Sequence, residues 1–170
     1  MSNLTKKYLN ELLHYNPESG VLTWAKSRKR IRVGEVAGHL NARGYLQICI
    51  NYKRYMAHRL VWLYVHGKLP AHEIDHINGV RNDNRLCNLR EATHVENIQN
   101  QPMPKTNTSG VKGVWWDKKE RKWCAACRVN KKRYYIGYFT DITKAESAVM
   151  KFREQHHGEF ANHGKQEKGN

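Results

Sequence analysis

The chain has 170 residues, which is room for one medium-sized domain or two small ones. Its 30 Lys and Arg residues against 15 Asp and Glu residues give a formal net charge of +15, an excess typical of proteins with a polyanionic partner such as nucleic acid. No apolar run approaches the roughly 20 residues of a membrane helix, and residues 1–15 lack the apolar core of a signal peptide. We therefore expect a cytoplasmic protein with no membrane partner and no small-molecule substrate.

Residues 1–55 form a basic segment that predicts a short helix and a β-hairpin. The apolar residues of the helix recur at helical spacing: Leu4, Tyr8, Leu12 and Tyr15. A short strand is predicted at 21–24, and the hairpin strands at 45–50 and 53–56. Residues 26–54 contain eight Lys and Arg residues and one acidic residue. We expect this segment to contact nucleic acid or to support the module that follows it.

The second region, residues 56–101, begins with a strongly apolar helix that is predicted to end near Gly67. The rest of the region is rich in Asp, His and Asn. A strand ends in Asp75 and His76, an Asn-rich loop follows, and a second short strand is predicted at 89–92.

A helix is predicted directly after this second strand. Thr93 is its expected N-cap, and Glu96 three residues later completes a capping box. This start places Asn97 in the first turns of the helix. The order strand, loop, strand and helix can therefore bring Asp75, His76 and Asn97 together.

These residue types suit the hydrolysis of a phosphodiester bond, which needs a deprotonated water and neutralised phosphate charge. A neutral imidazole such as that of His76 can accept the proton near pH 7. The carboxylate of Asp75 and the amide oxygen of Asn97 are hard ligands suited to Mg²⁺ or Mn²⁺. Taken singly, an Asp-His pair is more often structural, and Asn-rich loops more often form turns.

The joint pattern over residues 45–101 resembles the HNH, or ββα-metal, endonucleases that are common in phages and among intron homing endonucleases. The resemblance implies that His76 is the general base and that Asp75 and Asn97 bind one Mg²⁺ or Mn²⁺ ion. It also implies that Asn88 holds the loop and orients His76 through backbone hydrogen bonds. His94 and Asn100 remain alternatives to Asn97 as the second metal ligand. His58 is interpreted as a residue that packs or orients its helix.

Residues 102–110 have the Pro, Ser, Thr and Gly content of a linker. Beyond it, three β-like runs are predicted at 111–116, 123–129 and 133–139, followed by a helix with a capping box at Thr143 and Glu146. The tail at 163–170 is expected to be disordered.

The strand at 123–129 contains a CxxC pair, Cys124 and Cys127. Positions three residues apart in a strand point to opposite faces, so one zinc ion between these thiols is not expected. The same alternation predicts an apolar face that packs on the helix and a small, basic face that is open to a groove.

This region resembles an AP2 DNA-binding domain, a three-stranded sheet plus helix. The segments that carry the resemblance are 109–115, 122–128, 136–139 and 157–162. By position, the DNA-facing residues would be Lys112, Trp115, Arg128, Arg133 and Tyr135. Plant members often carry Arg, Arg and Trp where this chain has Lys112, Trp115 and Tyr135, so no base preference is carried over.

The sequence therefore predicts an α+β protein in three parts: the basic segment 1–55, a ββα-metal nuclease core at 56–101, and an AP2-like domain at 111–162. The leading hypothesis is a metal-dependent endonuclease that cuts double-stranded DNA at preferred sites, like a homing endonuclease. A DNA-binding regulator with an inactive HNH module is the alternative, and RNA as substrate is a weaker one. Whether the protein is a monomer or a homodimer stays open.

Overall fold

The computed structural model describes residues 4–27 and 30–164. It mixes helices with small antiparallel sheets, as the α+β prediction expects, and it divides into two compact units, residues 1–92 and 93–170. The segment predicted as a linker, 102–110, lies inside the second unit. The predicted disordered tail falls, from residue 165 onward, outside the described residues.

The first unit begins with helix α1 (Lys6–Leu12), whose N-cap Thr5 accepts a hydrogen bond from the main-chain N–H of Tyr8. Strands β1 (Leu13–Tyr15) and β2 (Leu22–Trp24) follow and pair antiparallel. The prediction that Tyr15 continues the helix is wrong, because the backbone becomes extended at Leu13, which pairs with Trp24. Tyr15 is thereby placed on a strand.

A three-stranded sheet and a helix complete the core of the first unit. The strands are β3 (His39–Leu40), β4 (Leu46–Ile50) and β5 (Lys53–Met56), in that order. Helix α2 (Ala57–His66) follows β5 directly and ends at Gly67, which has a left-handed conformation with φ of +77°. The fully buried residues of this core include Leu9, Leu13, Leu22, Ile48, Leu60 and Val61.

The last part of the first unit is a hairpin of strands β6 (Glu73–His76) and β7 (Leu89–Ala92). The loop between them ends in a short 3-10 turn, Leu86–Asn88. The strand pairing sets Asp75 opposite Arg90 and His76 opposite Leu89. The predicted strand, polar loop and strand are confirmed.

The second unit begins with helix α3 (His94–Gln99), and the predicted capping box is confirmed, because Thr93 and Glu96 exchange both hydrogen bonds. Strands β8 (Val114–Asp117), β9 (Lys122–Val129) and β10 (Lys132–Phe139) form an antiparallel sheet in the order β10-β9-β8. Helix α4 (Ile142–His157) packs on it. The buried residues between helix and sheet are Val114, Ala125, Cys127, Ala145 and Val149.

Two boundaries in the second unit differ from the predictions. The N-cap of α4 lies two residues earlier, because Asp141 takes this position and accepts hydrogen bonds from both the main chain and the hydroxyl of Thr143. The capping box predicted at Thr143 is therefore wrong. Strand β8 begins at Val114, because Gly113 before it has φ of +84° and interrupts the extended run. No helix within the described residues has the length and apolar character needed to span a membrane.

Candidate functional site

Asp75 lies near the end of β6 and is only 4% exposed. Its Oδ2 atom accepts a hydrogen bond from Arg90 Nε at 2.9 Å, and a terminal guanidinium nitrogen of Arg90 lies 2.8 Å from the same oxygen. Arg90 reaches the carboxylate because the two residues are paired across the hairpin. A carboxylate with this little exposure requires a cationic partner, and Arg90 supplies one.

His76, the next residue, lies among aromatic rings. Its ring centroid is 5.1 Å from that of His58 and 5.9 Å from that of Tyr45. Burial in these surroundings lowers the pKa of His76, although a hydrogen bond with Asn84 and the charge of Asp75 act in the opposite direction. The imidazole is therefore neutral near pH 7, which is the form that can accept a proton. His58 is buried, as its packing interpretation expects, and it contacts His76.

Asn88, at the end of the loop between β6 and β7, is buried and bonds both sides of that loop. Its Oδ1 accepts from the main-chain N–H of Asn78, and its Nδ2 donates to the main-chain oxygen of Asp83, both at 2.9 Å. The N–H of Ile77, directly after His76, donates to the main-chain oxygen of Asn88 at 2.9 Å. These bonds fix the chain on which His76 is carried.

Asn97 lies on α3, in the second unit, so its approach to Asp75 stays a prediction. Of the two alternatives to it, His94 is exposed, and Asn100 is buried with its amide oxygen 3.2 Å from Asn162 Nδ2. This contact uses one acceptor position of Asn100 within its own unit, and the choice of Asn97 over His94 and Asn100 stays a prediction. Among the described residues, no group of three or more His, Cys, Asp or Glu side chains could hold a metal ion.

Comparison with known proteins bears directly on the β6–β7 hairpin. Residues 55–99 match the family described as HNH endonuclease, and this match contains Asp75, His76, Asn88 and Asn97. The chain is also 34% identical over 111 residues to Protein 3.8 of Escherichia phage T7, over 65% of this chain and 91% of that protein. The chain belongs to the family of Protein 3.8. No solved structure matches it.

The HNH match implies a nuclease domain and a nucleic-acid substrate, and HNH nucleases generally use a divalent metal ion. The coarse prediction of an HNH protein of phage type is confirmed. The match ends at residue 99, so it does not cover the sheet of the second unit.

The sheet that lies beyond the HNH match exposes an aromatic and basic surface. Arg133 lies over the ring of Trp115 at 6.0 Å, and Tyr135 contacts the same ring edge-on at 6.4 Å. Arg128 is exposed and pairs with Arg133 across β9 and β10. Arg133 and Tyr135 share this face, whereas Tyr134 packs against Phe152 of α4. On β9 the predicted apolar face is confirmed, because Ala125 and Cys127 are buried against α4. The prediction that the opposite face is open is wrong for Cys124 and Ala126, which are buried as well. We call Trp115, Arg128, Arg133 and Tyr135 the sheet surface.

Lys112, the fifth residue predicted to face DNA, is placed differently. Its ammonium group donates to the main-chain oxygens of Gln99, Gln101 and Asn162 at 3.2, 2.5 and 2.9 Å. Burial lowers its pKa to about 8. These contacts tie the end of α3 and the residues after it to Asn162, so we leave Lys112 out of the sheet surface.

Three residues near the HNH site had no assigned role in the sequence prediction: Arg90, Asn84 and Tyr15. Arg90 binds Asp75, and Asn84, which is 1% exposed, has its Oδ1 atom 3.3 Å from Nε2 of His76. Tyr15 contacts the main chain at Asn84 from 69 residues away. The pairing of the two strands could have suggested Arg90, but no spacing rule in the sequence connects Tyr15 with the loop.

Proposed function

We propose that this protein is a metal-dependent endonuclease that hydrolyses phosphodiester bonds of double-stranded DNA at preferred sites, as homing endonucleases do. The observation that carries the proposal is the HNH match over residues 55–99, because Asp75, His76 and Asn88 fall inside it on one hairpin. In this proposal His76 accepts the proton of the attacking water. Asn88 holds the loop and thereby orients His76.

Asp75 and Asn97 would hold a single Mg²⁺ or Mn²⁺ ion. Their carboxylate and amide oxygens are hard donors, and an ion with so few protein ligands keeps positions for water and phosphate oxygens. Such an ion would supply neutralisation of phosphate charge and a lower pKa for a bound water. The position of Asp75 supports this assignment, because its buried carboxylate lies directly before His76 on β6.

The sheet surface of the second unit would hold the DNA, as in the AP2 domains that it resembles. Arg128 and Arg133 are exposed cations, and Trp115 and Tyr135 add flat rings beside them. A groove of about 620 Å³ lies next to this surface and is lined in part by Arg128, Arg133 and Trp115. Guanidinium groups in such a position bind phosphates well.

Cleavage of plasmid DNA tests the catalytic proposal. We expect the full-length protein with Mg²⁺ to convert supercoiled plasmid to the relaxed form first, since one HNH site cuts one strand at a time. EDTA should stop the reaction. His76→Ala should slow it by about 100-fold or more, the usual effect of losing a general base, whereas His72→Ala, at an exposed histidine, should cut at the wild-type rate.

Equal nicking by His76→Ala and by the wild-type protein would refute the assignment of the base. Tight binding of duplex DNA without metal-dependent cleavage of any substrate would instead favour a DNA-binding regulator. If the protein bound and cleaved duplex RNA in preference to duplex DNA, RNA rather than DNA would be its substrate.

A further inference from the structure

We propose that Asn84 is a positioning residue that fixes the orientation and the protonated nitrogen of the His76 ring, and that the β1–β2 hairpin holds Asn84 in place. This inference rests on the proposed role of His76 as general base. It adds a function for the N-terminal segment, which lies outside the part of the chain that matches the HNH family.

Two contacts orient the Asn84 side chain. Its Nδ2 donates to the main-chain oxygen of Asn82 at 3.3 Å, and its Oδ1 lies 3.3 Å from Nε2 of His76. Because an amide oxygen only accepts hydrogen bonds, Nε2 of His76 has to carry the proton in this arrangement. The unprotonated nitrogen of the neutral ring is then Nδ1. Asn84 therefore selects Nδ1 as the basic atom.

Tyr15 of β1 supports the main chain at Asn84. The Tyr15 hydroxyl donates to the main-chain oxygen of Asn84 at 3.1 Å and accepts from the main-chain N–H of Leu86 at 3.0 Å. Tyr15 is 6% exposed, so both bonds are shielded from water. One hydroxyl thus fixes the main chain on both sides of residue 85.

Gly20, in the turn between β1 and β2, approaches the loop that carries Asn84 closely. A Cβ atom at Gly20 would lie 2.4 Å from the main-chain nitrogen of Arg85 and 2.7 Å from the carbonyl carbon of Asn84. The turn and the loop are therefore in backbone-to-backbone contact, which only glycine permits. Tyr15 and Gly20 belong to one hairpin, and together they contact the main chain of residues 84–86.

These contacts distinguish a positioning role from a purely structural one. A loop asparagine that only formed turns would direct its side chain at main-chain groups alone. Asn84 instead directs its buried amide oxygen at the ring of His76. Small displacements of a reacting group lower rates strongly, so the hairpin is expected to control the rate of the chemical step rather than DNA affinity.

The test uses the full-length protein and four variants. Asn84→Leu removes the acceptor with a side chain of similar size, and Asn84→Asp keeps an oxygen acceptor for Nε2. Tyr15→Phe removes the hydroxyl that holds Asn84. Tyr8→Phe is the matched control, because the Tyr8 hydroxyl bonds only to the exposed side chain of Asn51 among the contacts found in the described residues. Plasmid nicking gives kcat, and titration of duplex DNA in Ca²⁺ gives Kd.

We expect Asn84→Leu to lower kcat by about 10- to 100-fold, the usual effect of removing an orienting partner. Its Kd for DNA should stay within about twofold of the wild-type value, because no DNA contact is lost. Tyr15→Phe should lower kcat in the same way but less, and Tyr8→Phe should leave it unchanged. In ¹⁵N spectra of the imidazole, His76 should show the Nε2–H form in wild type and in Asn84→Asp, and a mixture of both neutral forms in Asn84→Leu.

The spectra do not require cleavage, so they test the effect of Asn84 on His76 even if the wild-type protein cuts no DNA and the proposed function fails. An Nδ1–H form in the wild-type protein would overturn the inference, and so would a His76 spectrum that is identical in Asn84→Leu. If Asn84→Leu does not fold, Asn84→Asp and Tyr15→Phe decide. A wild-type kcat in Tyr15→Phe would then show that the β1–β2 hairpin does not hold Asn84 in its working position.

Discussion

The ion pair between Asp75 and Arg90 shows how one residue of the site depends on its neighbour across a hairpin. The side chains are 5% and 13% exposed, Nε of Arg90 donates to Oδ2 of Asp75, and a terminal guanidinium nitrogen lies 2.8 Å from the same oxygen. A buried pair of this kind contributes little net stability, but removal of one partner leaves a charge in a place that water does not reach.

We expect Arg90→Met to lower the free energy of unfolding by about 3 to 5 kcal/mol, because the Asp75 carboxylate loses its guanidinium partner. The double variant Asp75→Asn/Arg90→Met should recover most of this loss, since the buried charge is gone. Urea denaturation of both proteins measures the difference. Equal destabilisation of the single and double variants would show that packing, rather than charge, explains the effect.

A second residue-scale effect is the pH dependence of stability that comes from His58. Burial, together with repulsion from His76 in its protonated form and from Arg59, lowers the pKa of His58 to about 3, against about 6.5 in the unfolded chain. The unfolded state therefore binds more protons below pH 6.5, and stability falls as the pH drops from 6.5 toward 3.

Between pH 7 and pH 5, His58 alone should lower the free energy of unfolding by about 2 kcal/mol. The variant His58→Phe keeps an aromatic ring beside His76 but does not titrate, so its stability should depend less on pH by that amount. The exposed His72 provides the control, and His72→Gln should show the wild-type pH dependence. Parallel pH curves for His58→Phe and wild type would contradict the assignment.

At the scale of secondary-structure elements, the β1–β2 turn and the loop before β7 are in direct contact. The contact depends on Gly20, which has φ of +73° and no room for a Cβ atom against residues 84 and 85. The turn therefore belongs to the frame of the HNH hairpin, although about 60 residues separate the two in the sequence.

Gly20→Ala should accordingly destabilise the protein more than an alanine at another left-handed glycine. Gly34 is the matched control, because its φ is +83° and no atom of the described part of the chain lies within 4 Å of a Cβ atom placed there. Gly34→Ala should lose about 1 to 2 kcal/mol from backbone strain alone. Gly20→Ala should lose a further 1 to 3 kcal/mol, roughly, from the forced displacement of the loop. Thermal and urea unfolding measure both, and equal losses would argue against the close contact.

At the scale of the whole molecule, the net charge of +15 is distributed over both compact units. Only part of it can contact phosphates, because Lys112 binds main-chain oxygens and Arg90 binds Asp75. Arg128 and Arg133 remain as exposed cations on the sheet surface.

Replacement of Arg128 and Arg133 by glutamine should weaken DNA binding and reduce its dependence on salt. Each lost phosphate contact lowers the slope of log K against log salt by about 0.9, so the double variant should lose about 1.8 from the slope. Fluorescence anisotropy with duplex DNA between about 50 and 200 mM salt measures it. Lys151→Gln, at an exposed position of α4, should keep the wild-type slope, and an unchanged slope in the double variant would remove the sheet surface from the DNA interface.

The sequence predicted the elements well wherever local rules applied. The capping box of Thr93 and Glu96, the end of α2 at Gly67 and the apolar face of β9 all depend on residues close in the chain. The predictions were wrong where another residue took the expected role or where pairing with a distant strand overrode the local spacing. Asp141 caps α4 in place of Thr143, and strand pairing takes Tyr15 out of the helical pattern.

The sequence by itself determined the α+β class, the basic character, and the HNH motif that carries Asp75, His76 and Asn88, because composition and short-range spacing encode all three. Only the tertiary structure decided which side chains hold that motif. Strand pairing brings Arg90 to Asp75. Tyr15 and Gly20 contact the loop that carries Asn84 from a segment about 70 residues away in the sequence. Such contacts arise when the chain packs, and no period or motif along the sequence specifies them.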